Sequence, residues 1–379
     1  MRLRATGPFS RRCATSTFAE LVFWSCFAAL AWAHALYPLA ARLLVRLQSR
    51  PVRRDDGLLP DVTVMVAAHN EAEVIERRIA NLRELDYPLD RLVLVVTSDA
   101  STDATEALAE AAGARVIRNP RGGKVAAQNN AVRQTTGEIL VFSDANCTWA
   151  SDALRKLVRA FADPDVAYVC GRLNIQDDDG RNKEGVYWRY ELALRTDESQ
   201  IDSVTGGNGS IYAVRREDYI EVDPRFGHDL SFPYLMVQRG KRAVYEPEAN
   251  AYEKATPTNE DEYRRKVRMF EHCWAIVLEG KMLRGLRPLY FIEVLSHRHL
   301  RYASGLLHLV LLAASIALVG HGVIYAVALG LQLGVLAAAL VGVGLPRYYV
   351  LVTWATVVAL WNYLRRGVPT TWDVAEGTR

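Results

Sequence analysis

Continuous runs of apolar, mostly β-branched residues alternate with amphipathic segments between residues 61 and 300. The runs predict strands that are buried on both faces of a parallel sheet. They are VTVMVAA (62–68), LVLVVTS (92–98), ILVFS (139–143) and VAYVC (166–170). The segments 71–86, 102–113 and 124–136 predict helices, which end near Pro88, Gly113 and Gly137. This alternation predicts a doubly wound, mostly parallel α/β sheet, whose ligands bind beyond the carboxyl ends of the strands.

Longer apolar segments with almost no charge predict membrane helices, each long enough to cross a hydrocarbon layer of about 30 Å. They cover residues 17–38, 303–320, 322–345 and 348–364. Arginines follow the first segment, which favours a retained anchor over a cleaved signal peptide. We therefore expect a multi-pass protein of the cell membrane whose globular part is cytoplasmic. The number and orientation of the spans stay open, because arginines also lie before the first segment and after the last.

These patterns divide the chain into five parts. Residues 1–54 are a basic segment with an anchor helix, 55–282 a globular domain and 283–302 an interfacial segment. Membrane helices follow over 303–366, and 367–379 is a tail. The acidic stretch 177–180 predicts a solvated loop within the globular domain.

Composition excludes several classes of protein. Half of the residues are hydrophobic, and the net charge is only +3. The basic residues are not interleaved with aromatic residues, so we expect no nucleic acid as a partner. The five cysteines show no metal-ligand spacing, and their odd number and irregular spacing argue against a disulfide framework.

Polar clusters follow three of the predicted strands. His69, Asn70 and Glu71 follow the first strand, Asp99 ends the second, and Asp144 with Asn146 ends a later one. Because the carboxyl ends of parallel strands share one edge of the sheet, we expect these clusters to converge on one crevice. Each cluster alone could cap a helix, and this alternative is weakest for the two aspartates, which stand before the turns finish.

The segment NPRGGK (119–124) opens the third predicted helix and supports anion binding. Two glycines let the backbone approach an anion, the helix N-terminus offers N–H groups, and Lys124 adds a charge. A plain turn would explain the segment when it is taken alone. Beside carboxylates in the same crevice it favours a diphosphate, with Mg²⁺ or Mn²⁺ held by Asp144 and the carbonyl oxygen of Asn146.

The motifs HNE, SDASTD, GGK and SDAN together resemble the family 2 glycosyltransferases of the A-type fold, over residues 60–280. With the flanking membrane helices, the layout is similar to that of the processive synthases of hyaluronan, chitin oligosaccharide and cellulose. The resemblance implies that Asp99 contacts the nucleotide and that Asp144 binds the metal on the diphosphate. It makes 55–282 the catalytic domain, with donor contacts also from His69, Asn70, Glu71 and Lys124. The family's DxD pattern is Asp-Ala-Asn here.

The same resemblance assigns roles to two segments further along the chain. TGGNGSIYAVRR (205–216) is similar to a loop near the acceptor, which makes Gly207, Asn208 and Gly209 acceptor contacts. A structural turn is the alternative. In FGHDLS (226–231), Asp229 takes the position of the family's catalytic base, and His228 replaces the acid that precedes it.

The segment EYRRKVRMFEHCW (262–274) stands where the synthases carry a QxxRW motif, which is absent here. By this position Arg264, Arg265 and Arg268 are donor contacts and Trp274 is an acceptor contact. Arginine suits a diphosphate because it can bind two oxygens at once. A basic amphipathic helix on anionic lipid is the alternative.

The sequence thus predicts an inverting, metal-dependent glycosyltransferase that uses a nucleotide sugar, which we expect to be UDP-linked. The acceptor is a membrane-associated polysaccharide or glycan, and export partners are possible. One alternative is the transfer of a single sugar to a lipid carrier. Another is a non-catalytic nucleotide-binding subunit of a polysaccharide export complex.

Overall fold

A computed structural model describes residues 8–176, 185–255 and 259–368. These residues form two compact units. The sheet unit comprises 40–176, 185–255, 259–262, 275–294 and 367–368, and the helical unit comprises 8–39, 263–274 and 295–366. The predicted acidic loop at 177–180 lies outside the described residues, as does most of the predicted tail. The five-part division of the chain stays a prediction.

Eight strands form one mixed sheet in the order β3-β2-β1-β4-β7-β6-β8-β5. The strands are β1 (Val62–Ala68), β2 (Leu92–Asp99), β3 (Arg115–Asn119), β4 (Ile139–Asp144), β5 (Thr148–Trp149), β6 (Val166–Gln176), β7 (Tyr212–Arg215) and β8 (Arg242–Lys254). Strands β3, β2, β1 and β4 are parallel, and so are β6 and β8. Strand β7 is antiparallel to β4 and β6, and β5 is antiparallel to β8. The predicted fold class is confirmed.

The central strands are apolar throughout because both faces of the sheet are covered. Every residue of β1 is buried. Val64 and Val66 belong to the hydrophobic core on one face, whereas Met65 belongs to the core on the other face. The register pairs Ala67 of β1 with Thr97 of β2 and with Asp144 of β4, so the carboxyl ends of these three strands lie at one edge.

Besides α9 (Asn259–Glu279), eight α-helices carry described residues of the sheet unit. They are α2 (Tyr37–Leu47), α3 (Ile75–Arg83), α4 (Thr105–Ala111), α5 (Lys124–Arg133), α6 (Ala153–Val158), α7 (Val186–Ile201), α8 (His228–Gln238) and α10 (Pro288–Val294). Helix α3 begins later than residue 71, because Glu71 and Val74 form a turn in which the Val74 N–H donates to the Glu71 carbonyl. The sequence did not predict β3, β5, α6, α7 or α10.

The helical unit contains α1 (Pro8–Ala31), α12 (Ser304–Leu318), α13 (Val323–Leu340), α14 (Gly344–Arg366) and the short α11 (Leu300–Tyr302). Helix α9 (Asn259–Glu279) supplies its central part, 263–274. The side chains of Phe23, Leu30, Leu311, Leu318 and Tyr325 pack together in one cluster of this unit.

Fewer helices are suited to cross a membrane than the four spans that the sequence predicts. In the described part of the chain, two helices are long and apolar enough to cross a membrane, Ser16–Leu47 and Val323–Leu340. A third span results if Pro288–Tyr302 and Ser304–Leu318, which meet at a bend of 64°, are counted as one. The prediction for 348–364 is not supported, since α14 carries Arg347, Arg365 and Arg366 and a lower mean hydropathy than α13.

Candidate functional site

The first two polar clusters lie side by side at the edge where β1 and β2 end. His69 Nδ1 lies 2.8 Å from the Asp99 carbonyl oxygen, and the Thr102 N–H donates to Asn70 Oδ1 over 2.8 Å. The Glu71 N–H donates to Thr105 Oγ1 over 2.7 Å. Asn70 has a positive φ of 54°, a conformation that asparagine tolerates better than most residues. These contacts join the two turns into one rim.

The GGK segment is fixed by Asp99, whose side chain is 1% exposed. The N–H groups of Gly122 and Gly123 donate to the Asp99 carboxylate over 2.7 and 3.1 Å, and Arg121 Nη1 lies 2.9 Å from Asp99 Oδ2. Gly123 has a φ of 92° and directly precedes α5. The carboxylate therefore holds the turn that presents Lys124, and the predicted contact of Asp99 with the nucleotide stays a prediction.

Lys124 pairs with Asp144 at the centre of the site. Its ammonium group donates to Asp144 Oδ1 and lies 3.4 Å from the Gly209 carbonyl oxygen. Burial lowers the pKa of Lys124, but the charge and hydrogen bond of Asp144, with the charge of Asp229, outweigh burial and raise it. Lys124 is therefore cationic at neutral pH. A side chain at Gly209 would approach within 3.1 Å of this ammonium group.

A second carboxylate, that of Glu253, lies near Asp144, and the sequence did not predict it. The Ser210 hydroxyl lies 3.3 Å from Asp144 Oδ2 and 3.4 Å from Glu253 Oε2. Asn146 Nδ2 lies 3.4 Å from Glu253 Oε1. Glu253 is near the end of β8, a strand parallel to β6. Its place at a strand end was the signal that could have found it, and metal binding by Asn146 stays a prediction.

Asp229 lies in the first turn of α8 and borders the same cavity as Lys124. This cavity has a volume of about 60 Å³, and Gly209, Gln128 and His228 also line it. Lys124 contacts Asp144 on one side, and its pKa responds to the charges of both Asp144 and Asp229. The structure thus brings together the two carboxylates to which the sequence assigns metal binding and proton abstraction.

The glycine-rich loop is tied to Asp229 through its backbone. The Gly207 N–H donates to the Asp229 carbonyl oxygen over 2.7 Å, and a Cβ at Gly207 would lie 1.9 Å from the Tyr168 hydroxyl. Asn208 holds the turn into β7, since its Oδ1 accepts from the Ser210 and Ile211 N–H groups. Only glycine fits at 207, and the acceptor contacts of 207–209 stay predictions.

The predicted arginines lie on the other unit. Arg264, Arg265, Arg268 and Trp274 belong to the part of α9 that is in the helical unit. Trp274 is buried there, and its Nε1–H donates to the Thr356 carbonyl over 2.9 Å. The donor and acceptor contacts of these four residues stay predictions.

Asp144 is suited to a divalent metal ion, because its carboxylate already binds a cation, the Lys124 ammonium group. Glu253 and Asn146 add oxygen atoms nearby, of the kind that Mg²⁺ and Mn²⁺ prefer. Among the described residues, no group of three or more His, Cys, Asp or Glu side chains is placed to hold a metal alone. A metal at Asp144 would therefore need further oxygen atoms from a bound ligand or from water.

Comparison with known sequences identifies the domain type. The sequence pattern of "Glycosyl transferase family 2" matches residues 63–222. A β-monoglucosyldiacylglycerol synthase from Synechocystis sp. is 34% identical over 164 residues, which are 40% of this chain and 33% of that protein. This match therefore spans about a third of the length of that relative. An N-acetylglucosaminyltransferase from Rhizobium meliloti is 27% identical over 288 residues, 67% of each chain.

Comparison with solved structures extends the likeness along the chain. A mannosyltransferase from Pyrobaculum calidifontis, solved in complex with GDP-Man and Mn²⁺, superimposes with a TM-score of 0.73 at 25% identity. The superposition covers 92% of this chain and 98% of that one. The fold is therefore that of the A-type nucleotide-sugar transferases, as the sequence predicted. The predicted enzyme class is confirmed at the level of the domain.

Proposed function

We propose that the chain, whose residues 63–222 match the sequence pattern of glycosyl transferase family 2, transfers a sugar from a nucleoside diphosphate sugar to an acceptor at the membrane, with inversion. One observation carries the proposal. Lys124, in contact with Asp144, lines a single cavity together with Asp229. A cationic side for a leaving diphosphate and a carboxylate for an incoming hydroxyl thus face the same space.

Asp229 acts as the base in this reaction. Its carboxylate accepts the proton of the acceptor hydroxyl as that oxygen bonds to the anomeric carbon, and the bond from this carbon to the diphosphate oxygen breaks. The attack and the departure occur on opposite faces of the carbon, so one displacement inverts its configuration. The backbone link between Asp229 and Gly207 fixes the position of the base.

The leaving diphosphate lies on the side of Asp144 and Lys124. Lys124 exchanges Asp144 for a phosphate oxygen when the donor binds, because both are anionic partners within the reach of its flexible chain. Asp144, Glu253 and Asn146 are the residues that would hold a divalent ion. A bound divalent ion would neutralise charge that develops on the diphosphate. The Mn²⁺ of the Pyrobaculum mannosyltransferase complex supports this assignment.

Two nucleotides are candidates for the donor, UDP and GDP. The sequence led us to expect UDP, whereas the mannosyltransferase from Pyrobaculum calidifontis was solved with GDP-Man. The likeness to that structure covers nearly the whole of both chains, which places GDP-mannose beside the UDP sugars among the donors to be tested. His69, Asn70 and Asp99 form the rim on which the nucleotide would lie.

Transfer of a single sugar to a lipid acceptor is the second candidate, and the number of apolar helices favours it over polymer synthesis. Two or three helices of the described chain could cross a membrane, fewer than the four spans that the sequence predicts, which leaves fewer helices to line a channel for a growing polymer. The relative named β-monoglucosyldiacylglycerol synthase also supports a lipid acceptor. In either case we place the sheet unit on the cytoplasmic side, on the evidence of the arginines that follow the first span.

A panel of donors tests the proposed function. The full chain, purified in detergent with native lipid and Mn²⁺, is given UDP-glucose, UDP-N-acetylglucosamine, UDP-galactose or GDP-mannose in turn. We expect one donor to yield free nucleoside diphosphate far above the rest, and the sugar to appear in a lipid-soluble product. A ladder of product lengths would instead indicate polymer synthesis. Release from none of the donors would contradict the proposed function.

A further inference from the structure

The cavity between Lys124 and Asp229 contains polar atoms that have no partner. Its volume of about 60 Å³ is room for roughly two water molecules or one hydroxymethyl group. Gln128 and His228 line it, and the mechanism above uses neither of them. Both residues are almost wholly inaccessible to solvent.

Gln128 is the more unusual of the two. It lies one turn after Lys124 on α5, so both side chains are on the same face of the helix. Gln128 is 0% exposed, and neither Oε1 nor Nε2 has a hydrogen-bond partner among the described residues. A buried amide without partners destabilises a fold, and a hydrocarbon side chain of the same size would avoid that penalty. Folding alone therefore does not explain an amide here.

His228 adds a second unpartnered atom. Its Nδ1 lies 2.9 Å from the Tyr212 hydroxyl, whereas Nε2 has no partner among the described residues. Burial, together with the charge of Lys124, lowers the pKa of His228 to about 3, so the ring is neutral at physiological pH. Burial also raises the pKa of Tyr212, which keeps its hydroxyl protonated. When this hydroxyl donates to Nδ1, the ring proton of His228 is on Nε2.

The two side chains together suit a neutral hydroxyl. The amide oxygen of Gln128 accepts a hydrogen bond, the Nε2–H of His228 donates one, and a hydroxyl group can do both at once. Neither side chain is charged, so the pair is not suited to a phosphate or a carboxylate. Its place, between the cation that faces the diphosphate and the base that faces the acceptor, is where the transferred sugar must lie.

We propose that Gln128 and His228 bind a hydroxyl group of the transferred sugar and thereby determine which sugar the enzyme accepts. This inference rests on the proposed transfer from a nucleotide sugar. A site that hydrogen-bonds a substrate hydroxyl rejects analogues that lack it or place it differently, because its own buried polar groups are then left unpaired. The pair thus sets specificity, while Asp229 and Asp144 carry the chemistry.

The test compares Gln128→Leu and Gln128→Met with the wild type. Both variants keep the bulk of the side chain and remove its hydrogen bonds, and Gln134→Leu, at an exposed glutamine that ends the same helix, is the matched control. For each protein, kcat/KM of nucleoside diphosphate release is measured with UDP-glucose, UDP-galactose, UDP-N-acetylglucosamine and GDP-mannose. Melting temperature in detergent is measured alongside.

We expect both Gln128 variants to fold with a melting temperature equal to or above that of the wild type. The ratio of kcat/KM between the preferred donor and its best competitor should fall at least about tenfold in these variants. Gln134→Leu should keep the wild-type ratio.

Three results would overturn the inference. An unchanged ratio of kcat/KM between donors, in folded and active variants, would show that the amide does not distinguish between sugars. An equal loss for every donor would assign Gln128 to the diphosphate or to the fold. Failure of both variants to fold would show that the amide has a structural role. By contrast, a wild type that is inactive with every donor refutes the proposed function itself.

Discussion

The most informative single residues are Asp144 and Asp229, because the sequence named them and the structure connects them through Lys124. The sequence could name them since each follows a recognisable motif. Glu253 and Gln128 could not be found in this way, as neither belongs to a motif that we recognised. Glu253 lies near Asp144 because β8 pairs with β5, the short strand that follows Asn146. A role for Gln128 becomes visible only from the cavity that it lines.

Replacement of the base gives the first residue-scale prediction. Asp229→Asn keeps the size of the side chain and removes its capacity to accept a proton. We expect kcat for sugar transfer to fall about 10²- to 10⁴-fold, with donor affinity nearly unchanged. Rates and donor binding are compared with those of Asp152→Asn, an exposed aspartate away from the site. Near-normal turnover by Asp229→Asn would remove this residue from the mechanism.

The second residue-scale prediction concerns pH. The pKa of His228 is lowered from 6.5 to about 3 by burial, so the unfolded chain binds a proton there that the folded chain does not. This difference leaves stability intact above pH 6.5 and reduces it as the pH falls from 6.5 towards 3. Between pH 7 and pH 5 the wild type should lose about 2 kcal/mol of unfolding free energy more than His228→Asn. Urea denaturation in detergent measures this, and parallel curves would contradict it.

At the scale of elements, the pattern of apolar residues predicted the central strands well because burial on both faces leaves a continuous run. The elements that it missed include β3, β5 and α7. Strand β3 lies at the edge of the sheet and carries exposed arginines on both faces, and β5 has only two residues. Neither strand therefore forms a continuous apolar run. Helix α7 buries Glu191, Arg195 and Asp197, and polar residues inside a core remove the amphipathic signal.

The turn before α5 gives the prediction at this scale. Gly123 has a φ of 92°, which side chains rarely adopt, whereas Gly122 does not have a positive φ. Gly123→Ala should therefore lower the unfolding free energy by about 1 kcal/mol or more and displace Lys124. Gly122→Ala, whose Cβ would lie 3.3 Å from the Ala126 Cβ and 3.7 Å from the Pro120 carbonyl oxygen, is the control. Equal melting temperatures and activities for the two variants would contradict this account of the turn.

At the scale of the molecule, composition predicted a membrane protein but gave too many spans. Apolar residues in the sequence show that a segment is hydrophobic. Whether the segment can cross a membrane depends also on the length of its uninterrupted helix. Helix α12 has only 15 residues and meets Pro288–Tyr302 at a bend of 64°, and arginines lower the hydropathy of α14. The sheet unit follows its strand pattern, so the fold was more predictable than the membrane arrangement.

Membrane association is the prediction at this scale. With Ser16–Leu47 and Val323–Leu340 inserted in the bilayer, the protein should stay in the membrane fraction after washing with high salt and with alkaline carbonate, and detergent should release it. Immunoblotting of the fractions measures this. Release by salt alone would contradict insertion and would favour the electrostatic attachment of a basic surface.

The central claim is that the diphosphate side of the site is at Asp144 and the acceptor side at Asp229, with the transferred sugar between them. A crystal structure with Mn²⁺ and the non-transferable analogue of the preferred donor tests it most directly. We expect an anomalous scattering peak for Mn²⁺ beside Asp144, Lys124 in contact with a phosphate oxygen, and the anomeric carbon facing Asp229 across the cavity. A metal bound away from Asp144, or a sugar that lies outside this cavity, would contradict it.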